Sequence, residues 1–282
     1  MITHSSLPVR VACATLDVSK SAYYQTKSKE PAVDKNEAIL DQIRIIASDF
    51  SRYGYRRMTK ELQRCDIAVN HKRVHRIMKE HSLLVKRKRF TPITTQSNHN
   101  LPRYDNLIKE KVIVRSNEVW VSDITYIPVQ NEFTYLALIM DLFSRKIVGW
   151  DLSRNVDTTL TLTALTMAVR LRGKNNINGC IHHSDHGVQY LSGAYMDKLH
   201  ELGMLPSMGE VGNSYDNAHA ESLNKTIKWE EVWINEYKTF EQAYEGIAEF
   251  IKKYNEKRLH SSIGYVPPNE FEQQKLNKGI VS

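Results

Sequence analysis

The chain reads as an α/β protein in which a mixed sheet flanked by helices is preceded by basic helical segments. Three observations predict this. The first third carries 19 Lys+Arg against 9 Asp+Glu in helix-period stretches, while residues 101–282 carry 20 against 23. From Glu118 the apolar pattern changes to three successive β-rich runs, and after them helical and extended stretches alternate, the order that gives a sheet covered by helices.

Taken in order, Pro8–Leu16 and Asp17–Tyr24 read as helix, tight turn, helix, with Ser19 as N-cap of the second. Residues 1–30 are thus expected to be a helix-turn-helix-like segment. A helical, helix-turn-helix-like DNA-binding domain is expected over 35–85: Ile39, Ile43, Ile46 and Ala47 repeat at helical period, and Arg57–Arg64 and His71–His81 supply two shorter helices. Arg56, Arg57, Lys72, Arg73 and Arg76 are its candidate DNA contacts, although a solvated basic face explains such a pattern equally well. Residues 86–115 are polar, basic and aperiodic, and read as a linker.

A catalytic core with C-terminal helices is expected over 116–275. Val119–Val129, Thr134–Leu142 and Lys146–Leu152 are strands separated by turns, most simply three consecutive antiparallel partners. Helices follow at Asp157–Leu171, Ser192–Leu202, Asn217–Val232 and Phe240–Lys257, with a short strand at Gly179–Ser184.

Composition excludes several classes. With 41% hydrophobic and 25% charged residues, neither disorder nor a collagen-like repeat fits. Cys13, Cys65 and Cys180 form no CxxC pair, against a zinc ribbon or a disulfide scaffold and in favour of a reducing cytoplasm. No apolar run is long enough for a bilayer, so no membrane association is expected.

Chemistry concentrates in three carboxylates. Asp123 lies mid-strand in Trp120–Tyr126, where a charge is costly unless paired or coordinated; Asp185 follows the short strand, and Glu221 sits in a helix. Hard divalent cations select such oxygens. Asp141, Asp151 and Asp216 read instead as turn formers or surface charges. Lys225 and Lys228 follow Glu221 at i+4 and i+7, one helical face that could hold a phosphate, or merely an intrahelical ion pair worth about 0.2–0.5 kcal/mol. Cys180, His182, His183 and His186 match no structural-zinc spacing; strand alternation sends His182 and His183 to opposite faces, leaving a site-lining role for one or two.

Asp185 and Glu221 are separated by 35 residues. With Trp120-Val-Ser-Asp-Ile-Thr-Tyr126, His183-Ser-Asp-His-Gly187 and Ala220-Glu-Ser-Leu-Asn-Lys225, that spacing resembles the DDE core of retroviral integrases and bacterial transposases. The resemblance is closer to the OrfB product of the insertion-sequence-three family and runs from Pro8 to about Pro267, through Tyr53–Arg57, Asn70–Val74 and Tyr254–His260. It implies an RNase H-like fold in which Asp123, Asp185 and Glu221 bind two Mg²⁺, with Mn²⁺ as a substitute, for DNA strand cleavage and strand transfer. It also implies Lys228 as a DNA contact, action on terminal inverted repeats and target DNA as a homo-oligomer, an upstream OrfA product as fusion or separate protein, and a bacterial cytoplasmic, nucleoid-bound setting. A non-catalytic DNA-binding regulator, and a resolvase or ribonuclease of the same fold, are the competing readings.

Overall fold

A computed structural model of the chain describes residues 8–27, 35–86, 104–130, 132–209 and 217–277. The chain divides into two compact units, one of residues 1–49 and 53–84, the other of 50–52 and 85–282.

In the first unit, α1 (Val9–Thr15) and α2 (Lys20–Lys27) are joined by a turn through Asp17 at φ 51°, and Ser19 Oγ accepts from Ala22 N as the capping reading expects. Three further helices, α3 (Lys35–Asp49), α4 (Tyr55–Arg64) and α5 (His71–Glu80), close around Ile39, Ile43, Ile46, Met58, Leu62, Val74, Ile77 and Met78. These apolar positions recur every three to four residues, so each helix turns one stripe inward. Asn70 caps α5 by accepting from Arg73 N at 2.9 Å.

The second unit is built on a five-stranded sheet of order β3-β2-β1-β4-β5. β1 (Val119–Val129), β2 (Glu132–Asp141) and β3 (Ile147–Ser153) form the antiparallel meander expected from the sequence. β4 (Ile181–Ser184) and β5 (Leu205–Met208) add on in parallel. β5 has no counterpart in the sequence reading: four residues containing Pro206 show no alternation, and the proline is tolerated because β5 is an edge strand.

Helices cover both faces. Between β3 and β4 runs α6 (Thr158–Arg172), and between β4 and β5 runs α7 (Gly193–Glu201); their buried residues share one core cluster with Trp120, Ala137, Ile139 and Val148. Gly149 allows the close approach of α6, since a Cβ there would collide with the Ala164 carbonyl oxygen and lie 2.9 Å from Ala168 Cβ. On the other face α8 (Ala218–Ile227) and α9 (Phe240–Glu256) bury Leu223, Ile227, Ile247 and Ile251 against Val121, Leu136 and Leu138.

Two expectations are corrected. The single helix over Asn217–Val232 ends as an α-helix at Ile227 and continues as a wider π turn, Lys228–Val232; there Glu230 takes a two-pronged ion pair from Arg258, at 2.6 Å on each prong, a tertiary contact that local periodicity does not encode. Of the linker expected over 86–115, residues 86 and 104–115 are described, and 104–115 are part of the second unit. Ile108 and Ile113 join its core, and Leu107 N donates to Ser207 Oγ at 2.9 Å. Behind the sheet, α10 (Pro268–Leu276) is held through Glu272 to Arg172 and Lys146.

Candidate active site

Strand register brings the first two carboxylates together. β4 pairs with β1 in parallel as Val119↔Ile181, Trp120↔His182 and Val121↔His183. Asp123 and Asp185 each stand two residues beyond the last of these pairs. Side chains alternate along a strand, so Asp123 leaves on the face of Val121, and Asp185, just after the end of β4, is near enough for its charge to act on Asp123. The carboxyl ends of parallel strands are where open α/β sheets place their ligand sites.

Helix α8 brings the third. It lies on β1, anchored by two asparagines: Asn217 Nδ2 donates to the Ser122 carbonyl at 3.1 Å, and Asn224 Nδ2 donates to Asp123 Oδ2 at 2.7 Å. Glu221 falls between them, four residues after one and three before the other, and shares their helical face. The sequence reading passed over both asparagines; their signal was the seven-residue repeat around Glu221.

The electrostatics are those of crowded negative charge. Burial raises the Asp123 carboxyl well above its ordinary value, and the charges of Asp185 and Glu221 raise it further, against the hydrogen bonds from Ile124 N and Asn224. Asp185 is braced by Gly187 N, 3.0 Å from Oδ1. The fully buried Tyr190 phenol, beside Asp123 and Asp185, is likewise pushed upward, first by burial. Glu221 does not close on the two aspartates. Its Oε2 lies 3.0 Å from Lys225 Nζ, and among the described residues no three His, Cys, Asp or Glu side chains stand at metal-ligating spacing.

Lys228, half-buried, lies over the ring of Tyr126 with Nζ 3.6 Å from the centroid. Burial pulls its ammonium down to about 8, and the Asp123 carboxylate acts in the opposite direction. Lys228 therefore belongs to the carboxylate neighbourhood, whereas Lys225 is the exposed partner of Glu221.

The histidines have structural partners. His182 is fully buried and pushed down to about 3 by burial, hence neutral; its Nε2 meets the Tyr195 hydroxyl at 2.9 Å. His183 Nδ1 meets Ser207 Oγ at 2.9 Å, and His186 Nε2 meets the Gly209 carbonyl. Asp141, expected as a turn former or surface charge, does form a turn but is fully buried. Asp216 lies outside the described residues.

In the first unit, Arg56, Lys72 and Arg76 are exposed, Arg56 with its guanidinium 5.6 Å from the Tyr55 ring and Arg76 beside Glu80 at 3.9 Å. Arg57 and Arg73 are half-buried: Arg57 lies over Tyr53, and Arg73 Nε donates to Asn36 Oδ1 at 3.0 Å.

This layout agrees with known families. Residues 34–90 match an HTH-like domain, and residues 114–214 and 202–268 match two descriptions of an integrase core domain. A 31 kDa protein of insertion element IS600 from Shigella sonnei is 36% identical over 93% of this chain and 97% of its own length. Transposase InsF of insertion sequence IS3A from Escherichia coli K12 is 30% identical over 95% of each chain. The chain belongs to the insertion-sequence-three family of transposases. Its integrase core makes it a DDE-type polynucleotidyl transferase of DNA transposition and integration. The transposase of insertion sequence IS629, also from Shigella sonnei, is 32% identical over 93% of this chain and 90% of its own. Among solved structures, the simian T-cell lymphotropic virus intasome has a chain 14% identical to this one, with TM-score 0.49, covering 82% of this chain and 74% of that one.

Proposed function

We propose that Asp123, Asp185 and Glu221 are the catalytic carboxylates of this transposase and that they hold two divalent ions, magnesium with manganese as substitute. The observation that carries the assignment is the level placement of Asp123 within β1 and Asp185 just after β4, each two residues beyond the last pair of these parallel strands, with Glu221 on the helix hydrogen-bonded to β1. The donor set fits a hard cation: carboxylate oxygens, with crowded negative charge that raises Asp123. The Oδ1 atoms of Asn217 and Asn224, buried without a partner, leave further acceptors beside it. Two bound ions would stabilise the entering and leaving oxygens of an in-line displacement at phosphorus.

The residues divide the remaining work. Asn224 and Ile124 N orient the Asp123 carboxylate from one side each. Glu221 releases Lys225 when it turns toward the aspartates, and Lys225 and Lys228 then present ammonium groups to DNA phosphates. The basic helices of the first unit, through Arg56, Arg57, Lys72, Arg73 and Arg76, hold the terminal inverted repeats and the target by contacts that weaken as salt rises. Assembly on DNA as an oligomer, with an OrfA product supplied as fusion or separate protein in the bacterial cytoplasm, completes the reading.

The test is labelled element-end DNA with Mg²⁺ or Mn²⁺, comparing the chain, Glu221→Gln and an OrfA fusion. Cleaved and joined products that vanish in Glu221→Gln are expected. DNA binding without chemistry in every form, fusion included, would leave a DNA-binding regulator.

A further inference from the structure

The hairpin joining β1 to β2 carries aromatic rings that the core does not use. Tyr126 and Phe133 meet edge to face with centroids 5.5 Å apart, yet remain 39% and 60% exposed. Register places them on one face: Tyr126 is opposite Tyr135 and Phe133 is opposite Pro128, and directly opposed residues project to the same side. Lys228 completes the cluster from α8's end, its ammonium against the Tyr126 ring.

Position gives the cluster its meaning. β4 pairs with β1 only as far as Val121, so the outer half of β1 is a sheet edge among the described residues. Asp123 stands at the inner end of that edge; Tyr126 stands three residues, about 10 Å, further along and by alternation leaves on the opposite face, so a strand that reaches both passes around the open edge. A single exposed ring is ordinary on a protein surface. Two touching rings bordered by a half-buried ammonium that senses the Asp123 carboxylate offer a particular chemistry: a flat apolar face for a planar ring and a cation for a phosphate.

We propose that Tyr126, Phe133 and Lys228 form a stacking platform for an unpaired nucleobase of the DNA strand whose phosphodiester lies at the carboxylates. This rests on the DNA-cleaving reading above. Inside a duplex both faces of a base are covered by its neighbours, so an internal paired base cannot use the platform. Phe133, the more exposed ring, supplies the stacking face, while Lys228 takes the adjoining phosphate. Because every base has a π-face, the platform is tolerant of sequence and leaves readout to the helices of the first unit.

The experiment uses the full-length chain in EDTA, so that no strand is cut, and two short duplexes: one with 2-aminopurine in an unpaired end, the other with it at an internal paired position. Wild type should quench the unpaired-end probe and leave the internal one unchanged. Phe133→Ala with Tyr126→Ala should abolish that quenching and weaken binding of the unpaired-end duplex about tenfold, whereas Phe133→Trp should retain both. Quenching that survives the double alanine variant overturns the proposal, as does equal quenching of the internal probe. So does a changed oligomeric state by light scattering with quenching intact, which would make the rings a protein interface. Failure of wild type to bind either duplex is a different result: it removes the DNA reading itself, and this proposal with it.

Discussion

Asp123 and Asp141 sit on neighbouring strands of one sheet and meet the same problem, a carboxylate taken out of water, with opposite solutions. Around Asp141 the protein supplies donors: Oδ1 accepts from Phe143 N, Ser144 N and Ser144 Oγ at 3.0–3.2 Å, Oδ2 accepts from Asn117 N at 2.7 Å, and the Arg172 guanidinium stands 3.6 Å away. Arg172 also pairs with Glu272, which Lys146 reaches at 3.2 Å, so the hub balances two carboxylates with two cations. Burial still raises Asp141, but Arg172 and the backbone donors oppose it. Around Asp123 there are two donors; the charges that bear on it most are the carboxylates of Asp185 and Glu221, with the Lys228 ammonium as the nearby cation. One region is closed ionically by its own side chains; the other keeps an excess of negative charge, which is what suits it to the divalent ions proposed above.

The comparison can be broken at either end. Asp123→Asn should bring strand cleavage below detection while leaving the metal-free protein as stable as wild type or more so, because it removes a repulsive charge; a large drop in its urea midpoint would make Asp123 structural. Arg172→Met, which strands Asp141 and Glu272, should instead cost about 3–5 kcal/mol in denaturant unfolding, with α10 the first element to lose amide protection.

A divalent ion sharpens the contrast. At a hundred times its dissociation constant, Mg²⁺ or Mn²⁺ should add about 2.7 kcal/mol to wild type and nothing to Asp123→Asn, with EDTA reversing the gain in a thermal melt. Asn224→Leu keeps the helix packed but removes the donor to Asp123 Oδ2, and a metal titration by calorimetry should show about tenfold weaker binding. Unchanged isotherms would mean that the 2.7 Å hydrogen bond has no bearing on the ion.

His182 tests the core beside the site by pH. Its folded-state imidazole is held at about 3 by burial, below the ordinary 6.5, so the unfolded chain takes up the proton first. Its contribution is whole above pH 6.5 and is lost as pH falls, by about 1.4 kcal/mol per pH unit below 6.5. His182→Phe should flatten that slope between pH 6 and 4; an identical slope would place the titration elsewhere. The smallest effect belongs to Lys225→Ala, which breaks an exposed intrahelical pair with Glu221 and should change stability by no more than about 0.5 kcal/mol.

Through the 35-residue spacing that carries the family resemblance the sequence named Asp185 and Glu221; by itself it determined the three-strand meander, the helices of the basic first unit with the Ser19 cap, and the mid-strand Asp123. Each is written in local terms: alternation at period two, apolar stripes at helical period, and an acid where a strand does not favour one. Tertiary structure alone decided that Asn224, 101 residues from Asp123, orients it, that Glu221 faces Lys225, that Glu230 takes Arg258 in the π turn, and that Pro206 lies in a strand. It also decided which carboxylate would be neutralised from within: Asp141 and Asp123 are both acids of a buried sheet, and nothing in their local sequence says that Arg172 and Asn117 N converge on one while mainly further negative charge, from Asp185 and Glu221, bears on the other. The physical reason is that periodicity depends on neighbours in the chain, whereas the charge around a buried group depends on strand register and helix docking, which bring together residues that the chain holds far apart.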